Sequence, residues 1–328
     1  MNKLTKILSL MLVFVLVAVA FAACADNSDK KESVTVRVAG LKGPTSMGLV
    51  KLMEDNQNKQ SKNTYEFTVA GAADEITPKL IQGQFDIAAI PANLASVLFN
   101  NTNGQIQVLA VNTLGVLYVV AKGVEINSVE DLKGKTVYAT GKGSTPEYSF
   151  KYILSQNGID TEEDLTIEWK SEPAEAVAQL SANETGIAML PQPYVTVALN
   201  SVEGLEIKLN LNEEWENLET DSRFITSVLV VRRDFAEKNP EAVANFLTEA
   251  ASSAAYINAN VDDGAALVEK YGIVAAAVAK KAIPYCNITF ITGSEMKTSL
   301  AAYLQTLFSQ NPQSVGGKLP ADGFYYEG

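Results

Sequence analysis

Thr136-Val137-Tyr138-Ala139-Thr140-Gly141-Lys142-Gly143-Ser144-Thr145-Pro146 passes from a strand into a helix through a short, glycine-bearing turn. Thr136 to Ala139 has the β-branched and aromatic composition of a strand. Gly141 and Gly143 permit close backbone approach, Ser144 and Thr145 stand where a helix cap belongs, and Pro146 suits the first helical position. A helix from Pro146 to Asn157 then stops at Gly158, a glycine C-cap. Strand, turn and helix in this order form the unit of an α/β sheet, and ligands of such sheets gather at the C-terminal ends of the strands. The free N–H groups that open the helix can hold an anion or a polar group. A P-loop is excluded, because Gly134-Lys135-Thr136 has Val129 where the first glycine belongs, and Pro146 breaks a dinucleotide Gly-x-Gly-x-x-Gly. A plain helix cap with no ligand is the competing reading, since Ser and Thr are ordinary caps.

The same unit recurs on both sides. Upstream, the alternating strand Val34 to Ala39 leads through Gly40-Leu41-Lys42-Gly43-Pro44 to a helix capped by Thr45 or Ser46, with Met47, Val50 and Met53 on one face. A strand Tyr65 to Ala70 leads through Gly71-Ala72-Ala73-Asp74-Glu75 to a helix stacking Ile76 and Leu80, in which Pro78 is tolerable only within the first turn. Asp86 to Ile90 is an apolar strand, Pro91-Ala92-Asn93 opens a helix to Phe99, and Gln107 to Asn112 is a further strand with Thr113 at its end. Leu117 to Ala121 restarts the pattern. Downstream come a strand Leu165 to Trp169, a helix Ala174 to Ser181, a strand Gly186 to Leu190, a helix Gln192 to Leu199 and a strand Leu205 to Leu211. After the polar stretch Asn212 to Ser222, Phe224 to Val231 is a strongly apolar strand, and helices follow over Glu241 to Ile257, Gly264 to Tyr271 and Ser294 to Phe308.

Two α/β halves with a helical tail emerge. One returning strand cannot make the tail a domain, so it is expected to pack on the first half. The expected layout is a first domain of 34–117 plus 223–328, a second of 121–218, and a hinge near 117–121 and 218–223. The length of 328 residues suits two domains or one large one, and 47% hydrophobic residues supply a sizeable core.

Composition narrows the chemistry. The formal charge of -12 argues against nucleic acid and against broad docking on anionic lipid. The chain has no histidine, which removes Ser-His-Asp and Cys-His catalysis and the common zinc sites. The acidic clusters Glu162-Glu163-Asp164, Glu213-Glu214-Trp215-Glu216 and Asp262-Asp263 lack the spacing of a calcium loop and read as solvated surface. No cofactor, metal site or catalytic residue is expected.

The first residues carry an address. Lys3 and Lys6 precede an uncharged run from Ile7 to Phe21, closed by Ala22-Ala23-Cys24. A basic start, an apolar core and small residues at the cut site make a signal peptide over 1–23. Phe21-Ala22-Ala23-Cys24 resembles the bacterial lipoprotein box, which implies that Cys24 becomes the lipidated, palmitate-bearing first residue of the mature chain. Ala25 to Ser33 has no large apolar side chain and reads as a tether. With Cys24 lipidated, Cys286 has no disulfide partner and reads as a small buried hydrophobe.

The ligand candidates sit on the helix-opening loops. Gly143, Ser144 and Thr145 form the sharpest set. Lys42 offers a cation beside Thr45 and Ser46. Ala72, Ala92, Asn93 and Thr113 are loop positions, Gln192 and Tyr194 offer amide and phenol donors, and Phe224 offers an aromatic wall. The two halves, the phrase Leu80-Ile81-Gln82-Gly83-Gln84-Phe85-Asp86-Ile87-Ala88 and the loop Gly143-Ser144-Thr145 resemble the type II solute-binding proteins of ABC importers, closest to the nitrate/sulfonate/taurine and thiamine-pyrimidine precursor group. Where sulfonate and taurine binders often carry a histidine soon after that loop, this chain reads Pro146-Glu147-Tyr148. The resemblance implies a two-domain α/β fold with each sheet mixed and mostly parallel, a cleft between the domains, and hinge closure on a small polar or anionic organic solute. It also implies a monomer that docks both domains on a permease with its ATPase, outside the cytoplasm. An enzyme on the same fold, of the pyrimidine or menaquinone precursor type, and a non-transport interaction lipoprotein are the competing functions.

Overall fold

The computed structural model describes residues 34–218 and 222–328. The signal peptide, Cys24 and the tether lie outside the described residues, as do residues 219–221 of the expected second hinge. Thr35–Gly328 forms one compact unit.

The chain builds its first sheet from β1 (Thr35–Leu41), β2 (Thr64–Ala70), β3 (Ile87–Pro91) and β4 (Ile106–Leu114). It crosses at Gly115 and Val116 into a second sheet of β5 (Leu117–Lys122), β6 (Thr136–Thr140), β7 (Thr166–Lys170), β8 (Gly186–Pro191) and β9 (Leu205–Asn210). It then returns to the first sheet as β10 (Ile225–Arg232) and β11 (Ile288–Ile291).

The first sheet is ordered β11-β4-β10-β3-β1-β2 and the second β7-β6-β8-β5-β9. In each, a central strand pairs in parallel with two neighbours: β1 with β2 and β3, β6 with β7 and β8. In each, a strand that has just crossed between the sheets lies antiparallel in the gap, β10 between β3 and β4 and β5 between β8 and β9. A gap strand is covered on both faces, which is why Leu117–Ala121 and Val228–Val231 read as continuous apolar runs. Leu117–Ala121, expected at a hinge, is therefore the interior of β5, and the crossing is the shorter step before it.

Helices cover both sheets: α1 (Pro44–Met47), α2 (Val50–Gln57), α3 (Thr77–Ile81), α4 (Ala92–Asn101), α5 (Thr145–Gln156), α6 (Pro173–Ala182), α7 (Tyr194–Ser201), α8 (Leu211–Glu216), α9 (Arg233–Lys238), α10 (Pro240–Ala259), α11 (Val261–Lys270), α12 (Ala276–Ala282) and α13 (Gly293–Gln310). The helix expected after Pro44 is broken at Gly48, where a Cβ would come within 3.0 Å of the Ile288 side chain. Pro78 lies in the first turn of α3, the one place its missing N–H is harmless. The polar stretch after Leu211, expected without an element, holds α8 and fully buries Trp215. The tail packs on the first sheet: the Leu52 N–H of α2 donates to Ser253 Oγ of α10 at 3.1 Å, and β11 pairs with β4.

The phrase Leu80 to Ala88 ends on a clamp. Asp86 is 2% exposed, and its carboxylate accepts from the Arg37 backbone N–H at 3.0 Å and from the Arg37 guanidinium at 2.9 and 2.5 Å. Arg232 lies 3.7 Å from the same carboxylate. This ties β1, β3 and β10 at the sheet edge opposite the helix-opening turns.

Candidate functional site

The C-terminal edges of the two sheets meet. The loop after β1 approaches the loop after β8 so closely that a Cβ on Gly43 would lie 3.8 Å from Pro193 Cδ. Beside this contact is a cavity of about 200 Å³, lined from the first sheet by Lys42, Thr45 and Thr226 and from the second by Glu172, Gln192 and Tyr194.

Each side chain is placed by its own turn. Lys42 follows β1, and its N–H donates to the Ala70 carbonyl at the end of β2. Thr45 opens α1, and its carbonyl accepts from Asn112 Nδ2 at 3.0 Å. Gln192 follows β8 across a cis bond to Pro193 and is 2% exposed. Its Oε1 accepts the Thr196 hydroxyl at 2.9 Å, which leaves the –NH2 end as its donor. Burial, then the nearby charge of Glu172, pushes the Tyr194 phenol above its ordinary value and keeps it a neutral donor. Glu172 occupies the N-cap of α6 without capping it. Lys42 and Glu172 are both exposed, and among the described residues neither has an ion-pair partner.

Ser46 Oγ, Thr113 Oγ1 and Thr226 Oγ1 are buried and have no hydrogen-bond partner among the described residues. Buried hydroxyls ordinarily find one; of these three, Thr226 lines the cavity, so its hydroxyl is unused donor capacity there, while Ser46 and Thr113 lie outside the lining. Ser46 is pressed against the first strand, 2.3 Å from where a Gly40 Cβ would sit, so only glycine fits at 40.

The other expected ligand residues have different surroundings. Thr145 is fully buried and donates to Asn93 Oδ1 at 3.2 Å, while Asn93 donates to the Ser314 carbonyl at 3.0 Å. Ser144 Oγ donates to the Gly141 carbonyl at 2.8 Å. The Gly143 N–H is taken by Glu147 Oε2 at 2.6 Å, and Lys151 holds that carboxylate at 3.1 Å. Glu75 Oε1 accepts from Gly71 and Ala72 N–H at 2.9 and 3.0 Å. Two turns expected to offer amides to a ligand thus satisfy them with a carboxylate four residues on. Ala92 is fully buried at the start of α4. Phe224 is 2% exposed and stacks on Trp215 at 5.4 Å, so it is core and not an open wall.

The structure brings Lys42, Thr45, Gln192 and Tyr194 to one cavity. Glu172 and Thr226 were missed. Glu172 follows β7 and precedes Pro173, the same strand–turn–helix signal as Ser144 before Pro146, and a uniform search of such turns would have found it. No cluster of His, Cys, Asp and Glu among the described residues could hold a metal ion.

Two sheets of matching strand order meet at a cavity that both line. The model of the ABC transporter phosphonate periplasmic substrate-binding family matches residues 51–282, and the chain belongs to that family. Its members are the extracytoplasmic substrate-binding components of ABC importers, not enzymes, and work with membrane permease subunits. Among solved structures, an ABC transporter protein from Parabacteroides distasonis shares 23% identity, with a TM-score of 0.73 over 89% of this chain and 99% of that one. The alkanesulfonate-binding protein SsuA from Xanthomonas axonopodis pv. citri, bound to MOPS, shares 14% identity and a TM-score of 0.70 over 90% of this chain and 98% of that one. The aliphatic sulphonate binding protein SsuA from Escherichia coli shares 21% identity and a TM-score of 0.68 over 90% and 94%. At these identities the likeness is one of fold. No curated protein matches the chain in sequence. No helix among the described residues is long and apolar enough to cross a membrane.

Proposed function

We propose that this protein is a monomeric receptor, anchored through lipid on Cys24, that captures a small polar or anionic organic solute between two domains and delivers it to its permease. The observation that carries the reading is the cavity at Lys42, Thr45, Gln192 and Tyr194, to which both sheets contribute. A solute held there bridges the two halves, so binding favours the closed form, and mass action raises stability with solute concentration. The two domains carry the first and the second sheet, joined where the chain crosses between them at Gly115 and Val116 and again before β10. The family description names phosphonates and two fold relatives bind sulfonates, which supports an anionic group on the solute. Lys42 supplies the cation for it, while Gln192 and Tyr194 supply neutral donors.

A thermal-shift panel of phosphonates, sulfonates, nitrate, pyrimidines and amines tests this reading. At least one class should raise the melting temperature in a dose-dependent way. Lys42→Ala should then weaken binding by about 1.5 kcal/mol, roughly tenfold, the worth of a hydrogen bond to a charged group. No stabilising solute across the panel would sink the proposal.

A further inference from the structure

We propose that Thr226 is a solute-binding residue whose hydroxyl is kept unpaired in the free protein, at a cost in stability, to donate to an acceptor oxygen of the solute. The inference rests on the reading of this cavity as the solute site and adds a residue that selects what enters it.

Backbone geometry sets the side chain apart. Where β10 pairs with β4, Ile225 faces Leu114 and Ser227 faces Thr113, so two steps along β10 match one step along β4. The extra residue is Thr226, and a bulge of this kind re-aims a side chain that an even ladder would hold in register. Its neighbours are already committed. Ile225 is fully buried in the core, and Ser227 Oγ donates to Asn112 Oδ1 at 2.8 Å. Thr226 lines the cavity instead, and its Oγ1, shielded from solvent, has no hydrogen-bond partner among the described residues.

That arrangement is costly in the free protein. A hydroxyl out of water and without a partner forfeits the bonds it makes in the unfolded chain. Valine has nearly the same shape and no hydroxyl to strand, so packing alone would favour it at this position. A hydroxyl held there is accounted for by a partner that arrives with the solute.

The rest of the lining says what that partner is. Lys42, the –NH2 end of Gln192 and the Tyr194 phenol all present donors, and Glu172 is the one carboxylate of the lining among the described residues. A further donor beside these three suits an oxyanion head, whose oxygens accept several hydrogen bonds at once. A solute of the same size without that oxygen would leave Thr226 stranded in an occupied site, and a site built to bond a polar group rejects such an analogue.

Thr226→Val and Thr226→Ser in the full-length protein test the inference. Melting is followed without solute, and affinity by calorimetry with whichever phosphonate or sulfonate of the panel shifts the wild type most. Thr226→Val should melt about 2 °C above wild type, because it removes a stranded hydroxyl, and should bind roughly tenfold more weakly, because the bound solute loses a donor. Thr226→Ser keeps the hydroxyl and should bind within about threefold of wild type, a difference too small to represent a lost hydrogen bond. Higher stability with unchanged affinity would overturn the binding role of Thr226 and leave the receptor intact. A Thr226→Val no more stable than wild type would overturn the unpaired hydroxyl. Stabilisation of the wild type only by solutes without an acceptor oxygen would overturn the selection. No shift from any member of the panel would overturn both this inference and the receptor.

Discussion

Gly83 has a φ of +77°, and a Cβ there would lie 2.8 Å from the Arg232 guanidinium. The backbone favours glycine, and a Cβ would also push the flexible Arg232 guanidinium aside. Gly83→Ala should therefore cost about 1–3 kcal/mol in urea unfolding, through strain and a displaced Arg232. Thr145 offers a sharper distinction. Its hydroxyl serves Asn93 where both are fully buried, so Thr145→Val should lower stability by about 1–3 kcal/mol by stranding Asn93 Oδ1. Calorimetry with a bound solute separates that role from a ligand role: a loss of affinity with unchanged stability would put Thr145 in the site after all. Glu172 makes the opposite prediction. It places a negative charge beside the cavity, so Glu172→Gln should tighten an anionic solute severalfold at low salt, less so at high salt.

Between elements, the link from α2 to α11 titrates. The Lys270 ammonium donates to Glu54, with the Tyr271 hydroxyl beside it, and these bonds hold the Glu54 carboxyl below its ordinary value. A depressed folded value means stability that is present above the unfolded carboxylate pKa and lost as pH falls through the folded one. Melting curves should show Glu54→Gln less stable than wild type at pH 7, with the gap closing below the carboxylate range around 4.5. Because the Lys270–Glu54 pair is partly exposed, the gap should be small. The same element scale explains the silent turns. Gly143 with Glu147 and Gly71 with Glu75 repeat one spacing, a carboxylate one helical turn beyond the amide it satisfies. That spacing is legible in the sequence, and it marks a self-capped helix start as readily as an anion site.

For the whole molecule, a solute held between the two sheets predicts a modest closing motion. Small-angle scattering with a stabilising solute should show a small decrease in radius of gyration, and none would count against closure. Under the proposed anchoring at Cys24, residues 25–33 should matter for delivery and not for affinity: a form without Cys24 should bind its solute with unchanged affinity, and a large loss would undo that division of labour.

The sequence by itself determined the α/β class, the alternation of strand and helix, the return of the tail to the first sheet and the family resemblance. These follow from local period and turn chemistry: Val34 to Ala39 alternates, Pro146 starts a helix and Gly158 ends one. It also named Lys42, Thr45, Gln192 and Tyr194, because loops at strand ends are readable one at a time. Only the tertiary structure decided which loops share a cavity. Glu172 joins Lys42 across the gap between two sheets, whereas Thr145 turns to Asn93, and nothing within reach along the chain fixes either choice. It likewise placed Trp215 and Tyr303, far apart in sequence, in one buried contact. Burial and pairing are properties of elements packed together, so threonines on turns of the same kind line a cavity in one place, as Thr45 does, and close a buried contact in another, as Thr145 does.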